Sequence, residues 1–430
     1  MSRPLRIAGY IAIGIVSGLV VATVAIWLLT RTDWGMERAR LFAVSWLEER
    51  VNGELRVGRV SGGGLLGGVI IHDFGIVDPA GRPFLSTDSL ELSYNWRTLA
   101  AGRIVLDRVI MHRPSVVLEK LPGDTAWNYE HIFAGQTPGP ATSERSLIMF
   151  SDARVLNGTA VVRMALDMDD IDSPADTARL IIERVPGGLA RVMRFENIDA
   201  RLDRVIWESP IEKGRLFDIR SVQGRGYVYS DPFQIRDARG TLTMRDSLVA
   251  FDMAEVVLPS SRASILGTVI VQKRNDMDIR VAGDRLRFRD LQWLYPTLPD
   301  EGGGSLVLRI RTQPDGTLFL AEDARLATPG TNVAGTFGVV VGDSMYFTAV
   351  NLRASPLDVR LLEQLLPGGL PVDGLLVGTV EVSGPLSSLQ TSGDMRLAGS
   401  SAGAGSAMSW RGVLDVRDGQ VSAPRERESG

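Results

Sequence analysis

The chain contains no cysteine. Disulfide frameworks, thiolate catalysis and cysteine-ligated metals are therefore excluded. Lysine is nearly missing as well: Lys120, Lys213 and Lys273 are the only ones, so the basic residues are almost all arginine. That bias reads as a GC-rich genome rather than as chemistry. A formal net charge of -4 gives no electrostatic reason to expect nucleic acid as a partner, which needs a basic surface to release counterions. The three histidines, His72, His112 and His131, stand alone, without the spacing of a zinc site. No nucleophile elbow, Walker loop or dinucleotide fingerprint occurs. The glycine-rich stretch from Gly62 to Gly68 lacks the Lys-Ser/Thr of a phosphate loop and reads as a turn or bulge. The aspartates 167, 169, 170, 172 and 176 lack the glycine and closing glutamate of a calcium loop and read as a solvated segment. No catalytic site, metal or cofactor is expected, and the chain is not expected to be an enzyme.

What is present begins with an apolar run from Ile7 to Thr30. It carries no charge over about two dozen residues, and about 20 suffice to cross a bilayer core. It is too long for the apolar region of a cleavable signal peptide, and Trp27, Leu28 and Leu29 occupy the place of a small-residue cleavage site. The expectation is an uncleaved signal anchor with Ile7, Ile11, Ile15, Leu19, Val24, Trp27 and Leu29 in the membrane. Residues 1–31 are then a cytoplasmic stub and a single span of the cell inner membrane, and the body lies in the periplasm. Residues 32–52 have helical spacing, with Leu41, Trp46, Leu47 and Val51 among charged neighbours. One short amphipathic helix fits, either capping the following sheet or lying on the membrane surface.

Helical patterning then gives way to short alternating runs separated by Gly, Pro, Asp and Asn. In SLELSYN, Leu90, Leu92 and Tyr94 point one way and the polar residues the other. ELRVGRV, RIVLDRVIM, GSLVLRIRT and GTVEVSG repeat the pattern. Such spacing predicts a mainly β protein built as a long antiparallel meander. With roughly twenty strands available, the sheet must split into sandwiches or curl continuously. An internal repeat is visible. LYPTLPDEGGGSLVLRIRT, from Leu294, returns as LLPGGLPVDGLLVGTVEVSG, from Leu365. A second pair starts at Leu258 and Leu326. The spacing of about 70 residues implies one stacked supersecondary unit. The expected plan is a β domain over 53–135, a linker over 136–150, a repetitive β region over 151–415 and a charged tail over 416–430.

The block from Val51 to Phe133 resembles the start of AsmA-like envelope proteins, especially the TamB branch. Gly81 and Pro83, Leu85, Leu99, Gly102, Pro114, and Trp127 with Asn128 stand where that pattern has its glycine-proline turn, its leucines and its Trp-Asn close. The later Leu-Pro-Gly strand repeats look like the middle of that family, and the likeness extends from about Ile7 to about Gly384. The resemblance implies a curled, taco-like groove that carries phospholipid acyl chains between envelope membranes. A docking partner in the outer membrane or periplasm would sit toward the C-terminal end. The expected groove lining is Leu90, Leu92, Tyr94, Ile104, Leu106, Leu306, Leu308, Ile310, Val380 and Val382. Two other readings share the same alternation: an assembly factor for outer-membrane proteins, and a scaffold of closed sandwiches with no ligand.

Overall fold

The computed structural model describes residues 52–62, 68–95, 98, 104–133, 147–167, 178–209, 214–245, 247–270, 276–342, 345–358, 360–361, 374–385, 388–398, 407–417 and 420–422. The expected membrane anchor, the amphipathic helix up to Val51, most of the linker and the end of the tail lie outside the described residues. Among the described residues no helix is long and apolar enough to cross a membrane. The protein is mainly β, with few helices. It divides into two compact units, Met1–Arg215 and Leu216–Gly430.

The first unit holds β1 (Glu54–Val57), β2 (Val60–Ser61), β3 (Gly68–Val77), β4 (Pro83–Tyr94), β5 (Ile104–His112) and β6 (Ser115–Lys120). After the helix α1 (Asn128–Phe133) come β7 (Ile148–Leu166), β8 (Ile182–Val185) and β9 (Gly188–Glu208). β5 and β6 behave as one strand interrupted at Arg113, whose φ is 49, and Pro114. Both pair antiparallel with β4, yet both pair parallel with β7. The expectation of a purely antiparallel sheet is therefore corrected here. Parallel neighbours need a crossover connection of a dozen or more residues, usually helical. The segment between β6 and β7, which carries α1, meets that need. The same ladders join strands on both sides of the segment expected as a linker.

α1 is tied to the sheet by two buried side chains, one polar and one apolar. Asn128, fully buried, accepts from the Glu119 N–H at 3.0 Å and the Tyr129 N–H at 2.9 Å, and donates to the Val117 carbonyl at 2.8 Å. Ile132, also fully buried, then packs with Leu55 and Ile76, flanked by Phe74, Phe84 and Leu85.

The turn before β4 is ionic. Asp78, 3% exposed, accepts from the backbone N–H groups of Ala80 and Arg82 and from Arg82 Nε at 2.7 Å. Arg82 Nη1 reaches Asp124 at 2.7 Å. Burial alone would raise the Asp124 pKa, but the Arg82 and Leu121 hydrogen bonds hold it below the ordinary carboxylate value. Asp152 is lowered by its hydrogen bond from Arg154, and Glu183 by Arg163 and Arg194 against the opposing pull of burial. A carboxyl that binds its proton more weakly when folded stabilises the fold above its unfolded pKa. That contribution fades as pH falls through the folded pKa. Denaturant midpoints are thus expected to stay level from about pH 7 to about pH 5 and to decline below about pH 4. The decline should be shallower in high salt, because these pairs are partly exposed. A level midpoint down to about pH 3 would remove these ion pairs from the account of stability.

β10 (Arg215–Tyr227) follows and pairs antiparallel with β11 (Phe233–Ile235), and the second unit is antiparallel throughout its described ladders from β12 onward. β12 (Asp237–Arg245), β13 (Leu248–Val257), β14 (Arg262–Ile270), β15 (Asp276–Arg287), β16 (Gly303–Gln313), β17 (Gly316–Thr328), β18 (Thr331–Val341), β19 (Met345–Asp358), β20 (Leu375–Pro385), β21 (Leu389–Ala398) and β22 (Ala407–Arg417) pair in chain order. The sequence repeat falls on this order. The pair at Leu258 and Leu326 marks the turns before β14 and β18, and the pair at Leu294 and Leu365 precedes β16 and β20. One repeat is therefore four strands. The lead-in of the first copy is a 3₁₀ turn over Phe288–Leu291; most of the second lies outside the described residues.

Each ladder from β12–β13 to β19–β20 carries a register shift, whereas β20–β21 and β21–β22 carry none. Bulges bend a strand and increase its twist. Asp323 and Ala349 take positive φ, both 50, at two of these shifts. Gly335, with φ 142, sits where a Cβ would collide with the Asn351 carbonyl. Only glycine serves at that position.

Candidate functional site

Register converts the alternation of single strands into continuous rows. In the second unit one row runs Leu242, Phe251, Gly267, Ile279, Ile310, Phe319, Val339, Phe347, Gly384. The next row on the same face runs Met253, Ile265, Val281, Leu308, Ala321, Phe337. Neither row holds a polar side chain. At about 4.8 Å per strand, the longer one spans roughly 40 Å. Phe337 and Phe347 meet edge to face, their centroids 6.0 Å apart.

No side chain in these two rows is buried. Phe337 remains 37% exposed, and Val341 and Met345, farther along the same face, 42% and 40%. An inner face covered by a second sheet would be packed to protein-interior density, with most of its side chains buried. The opposite face is polar across most of its width. Arg311 reaches Asp278 at 3.1 Å and Arg309 reaches Glu322 at 2.7 Å, exposed pairs worth about 1 kcal/mol or less each. Val340, 1% exposed, lies on that polar face, in register between Leu318 and Tyr346.

The expected lining residues of this unit fall on the apolar face. Leu308 and Ile310 are in its two rows, and Leu306 lies opposite Gly283. Val380 and Val382 oppose Leu352 and Val350, and Leu352 opposes Gly335. In the first unit Leu90 lies opposite Ile71 and Met111, Leu92 opposite Val69 and Val109, and Tyr94 opposite Leu106. Leu106 and Ile104 pair on with Phe150 and Ile148 of β7. These five expected residues are half-buried, and burial pushes the Tyr94 phenol pKa up. Their neighbours Val109 and Ala153 are buried, each 8% exposed, so this face is drier at its centre than that of the second unit. Sequence reading missed Phe251, Ile279, Val281, Phe319, Phe337, Val339 and Phe347. Their signal was present as alternation, but the bulges shift its phase along a strand.

No protein-family model, curated protein or solved structure matches the chain. What the site can do follows from its own residues. The apolar rows carry no nucleophile, acid or base. Among the described residues no group of three or more His, Asp or Glu could hold a metal ion. Such a surface can hold an apolar chain and cannot activate one.

Proposed function

We propose that the protein is an inner-membrane-anchored periplasmic carrier that moves phospholipids between envelope membranes, holding their acyl chains on the apolar face. The observation that carries this reading is the unbroken apolar row across β12 to β20 in which no side chain is buried. A soluble monomer rarely exposes more than a few hundred Å² of contiguous apolar surface, and an acyl chain gains about 0.8 kcal/mol per CH₂ it buries. Successive strands offer chemically equivalent contacts, so a chain sliding along the rows exchanges one for the next. The bulge in each ladder favours a sheet curled around its apolar side, as the resemblance to AsmA-like proteins of the TamB branch implies. A closed-sandwich scaffold needs a covering layer that these half-exposed rows do not suggest.

The test is lipid mass spectrometry on the full chain after exhaustive exchange into a lipid-free detergent. About one or more phospholipids per chain is the expected result, the gain per buried CH₂ being large enough to hold a two-chain lipid through the exchange. A well-folded protein that carries none would return the apolar face to protein–protein contact, as in a scaffold or an assembly factor for outer-membrane proteins.

A further inference from the structure

In the second unit, where β15 ends and β16 begins, the apolar face stops and an open cavity of about 490 Å³ begins, its wall mixing charged side chains with the apolar surface of Gly302, Ala327 and Pro329. Leu286, 7% exposed, closes the apolar side by filling the space over Gly283. The next residue, Arg287, points to the other side, in register with Gly303 and Ala327. Ser260, Arg289, Asp300, Glu301 and Thr328 complete the polar lining. The walls are fixed in place. Asp290 accepts from the Ser260 N–H at 2.7 Å, and Gln292 donates to Asp300 and to the Leu298 carbonyl, each at 2.9 Å. Gly302, at φ 124, leaves no room for a Cβ between the Ala327 carbonyl and Phe288.

The charges lining this cavity do not neutralise one another. All four charged side chains are exposed, and among the described residues neither guanidinium nor the Glu301 carboxylate has a hydrogen bond or ion pair, while Asp300 accepts only from Gln292. Two cations and two anions that share a cavity without closing on each other match a ligand bearing both signs. Each guanidinium presents parallel N–H donors suited to a phosphate, and carboxylates suit a primary ammonium. The volume falls in the ordinary range for a small-molecule site. Gly302, Ala327 and Pro329 add apolar surface to the wall, as an amphipathic ligand requires.

We propose that this cavity binds a zwitterionic phosphoethanolamine-type group, its phosphate on Arg287 and Arg289 and its ammonium on Asp300 and Glu301. That the group arrives as a lipid headgroup rests on the acyl-chain reading above; the charge pattern of the cavity does not.

The experiment uses the full chain in a non-ionic detergent, with calorimetric titration of three probes: short-chain phosphatidylethanolamine, short-chain phosphatidylglycerol and soluble glycerophosphoethanolamine. Phosphatidylethanolamine is expected to bind about threefold or more tighter than phosphatidylglycerol, the size of effect that an exposed ion pair supplies. Arg287→Gln with Arg289→Gln should weaken both lipids about tenfold or more. Asp300→Asn with Glu301→Gln should erase the preference and leave phosphatidylglycerol binding unchanged. Equal lipid affinities, unmoved by either pair of substitutions, would overturn the headgroup site while leaving the acyl-chain reading intact. Binding of the soluble group alone, lost in the arginine variant, would keep the site and defeat the lipid reading. If no probe binds, both fall.

Discussion

The protein carrying Leu308→Asp and Ile310→Asp together is expected to stay folded and to bind phospholipid at least about 100-fold more weakly. Both residues sit in the two apolar rows on β16, and neither is buried. Without ligand, the new carboxylates reach water. The fold then loses only the apolar contact of two half-exposed side chains, about 1 kcal/mol each. Beneath an acyl chain the same carboxylates are cut off from solvent with no cation on their face, and desolvating a charge costs several kcal/mol. Each 1.4 kcal/mol is about tenfold in affinity, so about 3 kcal/mol already gives the expected loss. Arg309→Gln, between them on the polar face, breaks the pair with Glu322 and should leave lipid content unchanged. The measurement pairs lipid-to-protein ratio with a denaturation curve. Unfolding of the double variant would mean a closed core, and a folded variant with wild-type lipid content would move the lipid elsewhere.

That β16 could be chosen from sequence alone has a simple cause. Its central residues alternate Leu308, Arg309, Ile310, Arg311 without interruption, and period two survives wherever a strand is regular. β19 shows where the rule fails. Counting by twos from Phe347 places Ala349, Asn351 and Arg353 on the apolar face, yet the residues that continue it are Val350, Leu352 and Ala354. Ala349, with φ 50, takes up the extra residue of a bulge and reverses the phase. A small apolar residue gives no warning of this, because positive φ is a tertiary demand rather than a propensity of alanine. Asp323 does the same in β17, between Ala321 and Ala324. Strand direction was hidden for another reason. β5 reads identically whether its neighbour runs parallel or antiparallel, and only the length of the connection through α1 distinguishes the two. The cavity was illegible because Ser260, Arg287 and Thr328 come from three separate strand ends brought together only by the meander.

Asn128→Leu, which keeps size and removes polarity, is expected to destabilise the first unit by about 3–5 kcal/mol. The substitution leaves the Glu119 N–H, the Tyr129 N–H and the Val117 carbonyl without the partner they have now. An abandoned buried backbone group costs about 1–3 kcal/mol, because no water reaches it. Asn128→Asp should restore the two accepted bonds but set a carboxylate oxygen against the Val117 carbonyl, with a buried charge close to Glu119. It should therefore be less destabilising near pH 4, where protonation restores a donor, than at pH 7. The effect should also be local. α1 anchors Ile132 against Leu55 and Ile76, and the Ile132 carbonyl accepts the Asn52 N–H at 2.7 Å. Hydrogen exchange should then quicken in β1, β6 and α1 while β16 and β17, in the other compact unit, keep their protection. A loss below about 1 kcal/mol, or uniform loss of protection in both units, would show that the Trp-Asn close of this segment is not what holds the crossover to the sheet. If the loss is local and large, Asn128 explains in physical terms why a polar residue belongs in this junction: its side chain bonds both the Glu119 and Val117 backbone of β6 and the start of the helix that returns the chain for β7.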